Sequence, residues 1–477
     1  MLFNSLSFAV FFPIVLCLYW ILKNNLKIQN LILAIASCYF YACWDWRFLF
    51  LLMFSIGLDY ISGIKIENSK TNREAKLWLT LSIVINLGFL GFFKYYNFFV
   101  ESFGDLLGGF GFKVNVWLLN IILPVGISFY TFHGLSYVID VYKKRIKAER
   151  NFIDYSLFVS FFPLLVAGPI ERATHLLPQI KKEREFNYDN AVSGLRQILW
   201  GLFKKIVIAD QCAIYVNDIF ELHYGLNGST LLIGAILFSF QIYGDFSGYS
   251  DIALGTARMM GFDLLKNFNY PYFSRDIAEF WRRWHISLSS WFRDYLYIPL
   301  GGSKGGNWMR VRNTFIIFLV SGFWHGANWT FIVWGGLNAL FIMPSIIFKT
   351  NRNNLGIAGE NSLLPSLKEF FQIIVTFGLT TIAWIFFRSD SVIDALKYIR
   401  RMFSKSLFYL PQKDVLWLFL IIIIFMMIEW IGRRSNYAIE SINIINYRFI
   451  RWALYYVIAA MVIYFSGEQH TFIYFQF

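Results

Sequence analysis

The sequence predicts an all-α integral membrane protein with about 11 to 12 transmembrane helices and additional re-entrant or interfacial segments. Of its 477 residues, 57% are hydrophobic and only 15% are charged, against roughly 25% charged residues in soluble domains. Phe, Tyr and Trp make up 20% of the chain, which suits a surface that meets both lipid tails and headgroups. This composition excludes a water-soluble fold.

The predicted spans follow one another along the whole chain. A hydrocarbon core about 30 Å thick requires about 20 apolar residues per helix. The first run has no basic segment before it and no small-residue cleavage site after it, so we expect it to be retained rather than cleaved as a signal peptide. The candidate spans are 5–22, 28–44, 47–64, 77–99, 116–138, 195–219, 229–259, 314–324, 328–348, 368–387, 414–431 and 450–466.

Basic residues on one side of the spans predict the orientation. They follow the first, third and fifth spans, at Lys23 and Lys27, in 65–76 and in 142–150, whereas the connections on the other side carry few positive charges. Because Lys and Arg are enriched in cytoplasmic loops, we expect these basic loops in the cytoplasm and both termini outside it. The net charge of +13 has the same explanation, and nucleic-acid binding is not indicated.

Two segments do not fit a simple series of spans. Residues 152–169 are apolar but lie between two basic clusters, so we expect them to re-enter the membrane or to lie along its surface. Residues 272–313 are too charged to span and too aromatic for a solvated loop. Irregular backbone at membrane depth is tolerated only where protein or a water-filled cavity surrounds it. A cavity on the cytoplasmic side is therefore predicted.

No repeat, low-complexity linker or soluble appendage interrupts the chain, which predicts one membrane domain over 1–477 with a catalytic core at about 116–348. Its four cysteines lie inside apolar runs without metal-ligand spacing. We read them as packing residues, and no metal site is predicted.

His325, in "SGFWHGANW" (321–329), is the first candidate for chemistry. Imidazole can act as a base near neutral pH, and a neutral imidazole costs less in lipid than a charge does. Gly322 and Gly326 form a GxxxG pair that brings another backbone close or leaves room for a substrate. A structural histidine hydrogen-bonded across helices is the alternative.

Asp245 and Asp251, in "QIYGDFSGYSDIALG" (241–255), place two carboxylates in one predicted span. Ionisable groups inside a span are costly unless they are paired or hydrated. They either take a direct part in the chemistry or form a buried polar clasp that supports a tunnel, and the second interpretation is favoured.

Arg282, Arg283 and His285 lie together in "FWRRWHISLSSWF" (280–292) on the predicted cytoplasmic side. Guanidinium groups match phosphate geometry, and the neighbouring Trp281 and Trp284 can stack on a planar group. The alternative is an interfacial helix whose arginines meet lipid headgroups.

Two further patterns are given less weight. His133, Ser136 and Asp140 share one helical face, and a structural role is favoured for them. "GGSKG" (301–305) fits the G-x-S-x-G nucleophile pattern, but no helical sequence follows at once. Ser303 is therefore read as part of a glycine turn near an anionic ligand.

Several long stretches resemble the membrane-bound O-acyltransferase family, within it the bacterial branch of alginate and peptidoglycan O-acetyltransferase membrane subunits. The similarity runs in order over nearly the whole chain. It is carried by "LPVGISFYTFHGLSYVIDVY" (123–142), "FFPLLVAGPIER" (161–172), "GLFKKIVIAD" (201–210), "YGDFSGYSDIALG" (243–255), "NYPYFSRDIAEFWRRWHISLSSWFRDYLYIPLGGS" (269–303), "SGFWHGANWTFIVWG" (321–335) and "FIYFQF" (472–477).

The resemblance implies tilted helices around a central funnel, with His325 catalytic and His285 as its partner. Trp324 and Asn328 are expected to support the reaction, and Arg282 and Arg283 to hold donor phosphates. It further implies a bacterial inner-membrane enzyme that moves an acetyl group from a cytoplasmic thioester to a hydroxyl of an extracytoplasmic polysaccharide. Acetyl-coenzyme A is the expected donor substrate, and no permanently bound cofactor is expected. An extracytoplasmic SGNH or esterase-like transferase is the expected partner.

Three alternatives remain open from the sequence. A secondary transporter or flippase would use intramembrane His and Asp as proton relays, although the inverted repeats typical of transporters are not found. The same enzyme class could instead take its acyl group from a carrier-protein thioester, as in D-alanylation of teichoic acid. A lipid acceptor is the third alternative.

Overall fold

The computed structural model describes residues 1–112, 115–360, 362–444 and 447–467, and the regular structure in these ranges is helical without strands. The predicted all-α class is confirmed. All twelve predicted apolar runs coincide at least in part with helices, whereas the predicted "FIYFQF" motif lies outside the described residues. The described residues group into two compact units, and the single domain predicted over 1–477 stays a prediction.

The first unit comprises Met1–Ala191 and Thr256–Leu265. Side-chain caps start several of its helices, as where the Thr71 hydroxyl accepts from the Glu74 backbone N–H. A π-helical segment, Gly91–Tyr95, joins α4 to α5. Its helices are α1 (Leu6–Ile21), α2 (Leu26–Ala42), α3 (Arg47–Asn68), α4 (Asn72–Leu90), α5 (Tyr96–Gly109), α6 (Ile127–Tyr142), α7 (Phe152–Ser160), α8 (Phe162–Leu165) and α9 (Ala173–Ile180).

The predicted span 116–138 is helical only from Ile127 onward. Gly126 stands at the N-cap with φ +74°, a left-handed conformation that glycine adopts at little cost. Pro124 disfavours helical backbone at the residue before it. The prediction was wrong for 116–126 because apolar composition alone does not show where the backbone leaves the helix.

Residues 152–169 form two short helices, α7 and α8, that meet at Phe161 rather than one span. Residues 154–170 are buried throughout this segment. The interruption is what a re-entrant segment requires, because its irregular backbone is surrounded by protein. Its depth in the bilayer stays a prediction.

The second unit comprises Val192–Gly255 and Lys266–Phe477, as far as these are described. Its segment 272–313 begins with short broken helices, as the sequence predicted, and α15 starts at its end. A π-helical segment, Phe203–Ala209, joins α10 to α11, and another, Arg293–Tyr297, follows α14. Its α-helices are α10 (Tyr188–Leu202, from Val192), α11 (Asp210–Glu221), α12 (Gly228–Met259, to Gly255), α13 (Ile277–Arg283), α14 (Ile286–Phe292), α15 (Gly306–His325), α16 (Trp329–Ile347), α17 (Leu367–Arg388), α18 (Val392–Met402), α19 (Leu416–Gly432) and α20 (Arg448–Phe465).

Six helical runs among the described residues are long and apolar enough to cross a membrane, and three shorter apolar helices accompany them. The protein is therefore a multi-pass membrane protein. The long runs are Arg47–Asn68, Asn72–Gly109, Gly228–Met259, Trp329–Ile347, Leu367–Arg388 and Arg448–Phe465, and the shorter helices are α1, α2 and α19.

Helices α15 and α16 approach each other closely through glycines. A Cβ on Gly322 would meet the carbonyl oxygen of Phe331, and a Cβ on Gly335 would meet that of Phe318. The close approach predicted from the GxxxG pair is thus confirmed for Gly322, whereas a Cβ on Gly326 would meet the Phe331 ring. This contact brings the last turn of α15 against the first turns of α16.

Replacing Gly335 by alanine is expected to destabilise the protein by about 1–3 kcal/mol, because the added methyl group would force the two backbones apart. The neighbouring Gly336→Ala is the matched control, since a Cβ there meets only the end of Leu319 at 3.8 Å. Thermal unfolding of the purified proteins in detergent measures the stability of both variants. Equal unfolding temperatures for the two variants would contradict the close approach.

Candidate functional site

His325 is the last residue of α15 and lies among aromatic rings of the second unit. Its ring centroid is 4.9 Å from that of Trp324, 5.0 Å from that of Trp334 and 5.4 Å from that of Phe387. The side chain is buried, with 5% of the residue exposed. Three helices, α15, α16 and α17, therefore hold this imidazole in a fixed place.

The second histidine of the site, His285, lies between α13 and α14. Its ring centroid is 6.5 Å from that of His325, although 40 positions separate the two residues in the sequence. His285 has φ +45° and ψ 52°, a left-handed conformation that is uncommon for a residue with a side chain. Such strain is often found at functional sites, and here it turns the chain between two short helices at the imidazole.

A hydrogen bond to Asn267 indicates which ring nitrogen of His285 carries the proton. Its Nδ1 lies 3.0 Å from Oδ1 of Asn267, which also accepts from the Ser287 hydroxyl. Burial lowers the pKa of His285 to about 3, so the ring is neutral at physiological pH. Because the amide oxygen accepts, Nδ1 carries the proton and Nε2 is an acceptor. Within the described residues this buried Nε2 has no hydrogen-bond partner.

The two supporting residues predicted next to His325 differ in their surroundings. Trp324 is buried, and its ring lies 6.1 Å from that of His285 as well as against His325. Asn328 instead caps α16, because its Oδ1 accepts from the Thr330 backbone N–H at 3.0 Å and its Nδ2 donates to the Asp390 carbonyl at 2.9 Å. The structure therefore groups Trp324, but not the Asn328 amide, with the histidines.

Asp245 and Asp251 each face a buried lysine. Lys205 Nζ lies 2.7 Å from Asp245 and 2.9 Å from Asp210, and Lys204 Nζ lies 2.5 Å from Asp251. Both lysines belong to the π-helical segment between α10 and α11. The geometry favours the polar clasp over direct chemistry. "GLFKKIVIAD" contained the signal, since adjacent lysines inside a predicted span require counter-charges.

Arg282 and Arg283 lie in different environments despite being neighbours. Arg283 is buried and pairs with Glu279 at 2.9 Å, while its guanidinium also donates to the Gly356 carbonyl. Arg282 donates to the carbonyls of Asn351 and Asn354, each at 2.7 Å, and lines a cavity. Of the two, only Arg282 is placed to meet a ligand in that cavity.

This cavity, called the basic cavity below, encloses about 850 Å³. Every charged side chain that lines it is a cation, and Trp281, Tyr297 and Ser303 supply an indole and two hydroxyls. No role was predicted for its basic residues other than Arg282. The cations are Arg282, Arg293, Arg310, Lys349 and Arg352.

Aromatic rings separate the basic cavity from His325. Trp281 lines the cavity, and its ring lies 5.1 Å from that of Phe318 and 5.7 Å from that of Trp334. Trp334 in turn lies 5.0 Å from His325. The cavity is thus linked to the imidazole through two indole rings in contact, those of Trp281 and Trp334.

Ser303 and His133 have the surroundings that the sequence favoured. Ser303 follows the turn at Gly301 and Gly302, both with positive φ, and lines the basic cavity. His133, in the first unit, is buried, and its Nε2 accepts from the Glu171 backbone N–H at 3.1 Å. No cluster of three or more His, Cys, Asp or Glu side chains in the described part of the chain is arranged to hold a metal ion.

The second unit thus places a buried histidine pair near a cationic cavity, in a polytopic membrane fold whose described regular structure is helical. The family model described as "MBOAT, membrane-bound O-acyltransferase family" matches residues 141–387. The chain belongs to this family and is an O-acyltransferase. The matched range contains all the site residues predicted from the sequence, and membership of an enzyme family supports catalysis over transport.

Individual relatives agree with the family assignment. The chain is 40% identical to "Probable alginate O-acetylase AlgI" of Pseudomonas aeruginosa, over 86% of this chain and 76% of the relative. It is 36% identical to the peptidoglycan O-acetyltransferase of Helicobacter pylori, over 84% of this chain and 80% of the relative. A teichoic acid D-alanyltransferase of Bacillus subtilis is 29% identical over 47% of this chain and 59% of its own length.

Proposed function

We propose that this protein transfers an acetyl group from acetyl-coenzyme A in the cytoplasm to a hydroxyl of an extracytoplasmic polysaccharide, directly or through a partner transferase. The observation that carries the proposal is the basic cavity, whose cations lie two indoles away from His325. Coenzyme A carries a diphosphate, a further phosphate and a planar adenine, which match clustered guanidinium groups and an indole. The names of the Pseudomonas and Helicobacter relatives support acetyl as the group and a polysaccharide as the acceptor.

In the proposed reaction, His325 acts as the general base. It takes the proton of the acceptor hydroxyl as the oxygen attacks the thioester carbonyl carbon. The new C–O bond forms, the C–S bond breaks, and the thiolate leaves with the proton that the imidazolium returns. General-base assistance of this kind contributes about 10²- to 10⁴-fold to the rate.

His285 is proposed to orient the acceptor rather than to stabilise the oxyanion. Its Nε2 is an acceptor, so it can receive a hydrogen bond from a hydroxyl but cannot donate one to a developing negative charge. The two ring centroids are 6.5 Å apart, so one hydroxyl oxygen placed between the rings is within reach of both. The indole N–H of Trp324 is the proposed donor to the carbonyl oxygen.

The proposed orientation places the basic cavity on the cytoplasmic side of a bacterial inner membrane. Three of its five cations, Arg310, Lys349 and Arg352, belong to the basic segments around 304–312 and 349–352, which the positive-inside rule assigns to the cytoplasm. Both termini then lie outside the cytoplasm. An SGNH or esterase-like transferase on that outer side is the proposed partner that completes acetylation of the polysaccharide.

A carrier protein is the second candidate donor, favoured by the similarity to the teichoic acid D-alanyltransferase. Its thioester is carried on phosphopantetheine, which has one phosphate and no adenine. Most of the cations of the basic cavity would then have no phosphate partner. The two donors are distinguished by which of them raises the unfolding temperature of the purified protein.

The donor site is tested by the double substitution Arg310→Gln with Arg352→Gln. We expect affinity for acetyl-coenzyme A to fall by about tenfold or more, because charged hydrogen bonds are worth about 1.5–3 kcal/mol each. Affinity for S-acetylpantetheine, which has no phosphate, is expected to stay unchanged. Ligand-induced shifts in unfolding temperature in detergent measure both affinities.

Lys304→Gln is the matched control for this test, because Lys304 is an exposed cation in the turn before α15 that does not line the basic cavity. Its affinity for acetyl-coenzyme A is expected to equal that of the wild type. An unchanged affinity in the double variant would exclude the basic cavity as the donor site.

A further inference from the structure

A second cavity lies at the other end of α16 from the basic cavity. The carbonyl of Asp390, a lining residue, accepts from the Asn328 amide at the start of α16, whereas Ile346 and Lys349 line the basic cavity at its end. With 19 residues, α16 is roughly 28 Å long, close to the thickness of the hydrocarbon core. This second cavity, called the polar cavity, encloses about 620 Å³ and is lined by Glu221, His223, Tyr224, Arg388, Asp390 and Asp394, among others.

The polar cavity approaches His325 from the end of α17. Arg388, the last residue of that helix, lines the cavity, and the preceding Phe387 has its ring 5.4 Å from that of His325. Two adjacent residues at the end of α17 therefore contact the imidazole and line the cavity, respectively. Each of the two cavities, at opposite ends of α16, is linked to His325 through aromatic residues, and neither is lined by His325 itself.

The charge of the polar cavity is opposite to that of the basic cavity. Its lining contains three carboxylates, Glu221, Asp390 and Asp394, and one guanidinium, that of Arg388. Arg388 already donates to Asn217 at 2.9 Å, which limits its use for a ligand. Lys397, which does not line the cavity, adds one positive charge near it, with its Nζ 4.0 Å from Asp394 and 5.3 Å from the Tyr224 ring centroid, so three carboxylates face two cations. An anionic ligand would therefore meet net repulsion here.

The hydrogen bonds of Asp394 and the exposed position of Glu221 support the negative charge of the cavity. Hydrogen bonds from Ser391 and Tyr224 lower the pKa of Asp394, so this carboxyl is ionised at neutral pH. Glu221 lies exposed at the rim, and its carboxylate makes no hydrogen bond or ion pair with any other described residue. It is available to a ligand that offers a hydroxyl or an ammonium group.

His223 supplies an independent sign of a ligand. Its Nδ1 lies 2.7 Å from the Phe220 carbonyl oxygen, so Nδ1 carries the proton and Nε2 is an acceptor. The residue is 8% exposed, and Nε2 has no partner among the residues that the structure describes. A buried acceptor without a partner is costly, and a hydrogen-bond donor of a ligand in the cavity would satisfy it.

We infer that the polar cavity binds the hydroxyl-bearing acceptor of the reaction, and that it selects an uncharged or amine-bearing saccharide over a polyuronate. Its free groups, Glu221 and the His223 Nε2, accept hydrogen bonds, and the hydroxyls and ammonium groups of such a sugar donate them. Each residue of a polyuronate carries a carboxylate, which the three acidic side chains oppose. This inference rests on the proposed acyl transfer and names its acceptor class.

The test compares three tetrasaccharides of similar size, namely cellotetraose, a fully deacetylated chitosan tetramer and a tetramer of mannuronate. Binding to the purified full-length protein is measured by titration calorimetry in detergent. We expect the neutral and amine-bearing tetramers to bind about tenfold or more tightly than the mannuronate tetramer. In Glu221→Gln with Asp390→Asn, the amine-bearing tetramer is expected to lose affinity and the mannuronate tetramer to gain it.

Asp218→Asn is the matched control, because Asp218 is a carboxylate on α11 that does not line the polar cavity. Its saccharide affinities are expected to equal those of the wild type. His325-dependent consumption of acetyl-coenzyme A is measured in parallel, and its absence would overturn the proposed function itself. If consumption is present but the mannuronate tetramer binds best, or a lysine-rich peptide binds through Glu221 in place of sugars, only the acceptor inference is overturned.

Discussion

Replacing His325 by alanine is expected to lower acetyl transfer by about 10²- to 10⁴-fold, the largest effect on activity that we predict for a single residue. The substitution removes the only proposed base, while the surrounding rings of Trp324, Trp334 and Phe387 remain in place. Release of free thiol from acetyl-coenzyme A in the presence of an acceptor measures the rate. The unfolding temperature of the variant shows whether the fold survives.

His175→Ala is the matched control for this experiment. His175 lies on α9 in the first unit, where its Nδ1 pairs with Glu171 at 2.8 Å, and it has no place in the proposed reaction. Its rate is expected to stay within about threefold of the wild type, because the half-buried His175 side chain contacts neither the two site histidines nor the basic cavity. Full activity in the folded His325→Ala protein would rule out the imidazole as base.

Replacing Lys205 by methionine is expected to lower the free energy of unfolding by about 3–5 kcal/mol, the largest effect on stability that we predict. The lysine is buried between Asp245 and Asp210, and its loss removes the ammonium group that faces both buried carboxylates. Unfolding in increasing denaturant, followed by tryptophan fluorescence in detergent, measures the loss.

The matched control for Lys205 is Lys397→Met, which removes an exposed lysine 4.0 Å from Asp394. Exposed pairs are worth about 0–1 kcal/mol, so this variant is expected to remain close to the wild type. Combining Lys205→Met with Asp210→Asn and Asp245→Asn is expected to restore most of the lost stability, since no buried charge is then left unpaired. A loss in Lys205→Met that this combination does not reduce would indicate packing rather than charge.

Much of the fold could be predicted because a membrane helix is recognisable from the apolar composition of its own segment. Each of the twelve apolar runs coincides at least in part with a helix, since a hydrocarbon core demands about 20 apolar residues that satisfy their own backbone. The run 116–138 agrees only from Ile127 onward, because a left-handed glycine at position 126 precedes the start of the helix. Composition shows which residues tolerate lipid, but it does not show how the backbone turns.

The candidate site could be predicted only in part, and the missing part depends on distant residues. His325 and Arg282 were singled out from their own segments. The remaining cations of the basic cavity come from three separate segments, and no pattern within any one of these segments shows that their side chains line one cavity. The left-handed backbone of His285 and the proton on its Nδ1 depend on Asn267, which no local pattern connects to it.

The sequence by itself determined that this chain is a helical membrane protein and where its apolar runs form helices at least in part, and it singled out His325 as the candidate base. Only the tertiary structure decided that Asp245 and Asp251 face buried lysines, that Arg283 pairs with Glu279 while Arg282 lines a cavity, and that two cavities of opposite charge approach one imidazole. The physical reason is the separation along the sequence between the residues that interact. Hydrophobic burial in lipid is decided residue by residue along one helix, whereas charge pairing and cavities arise between side chains that packing brings together from distant parts of the chain.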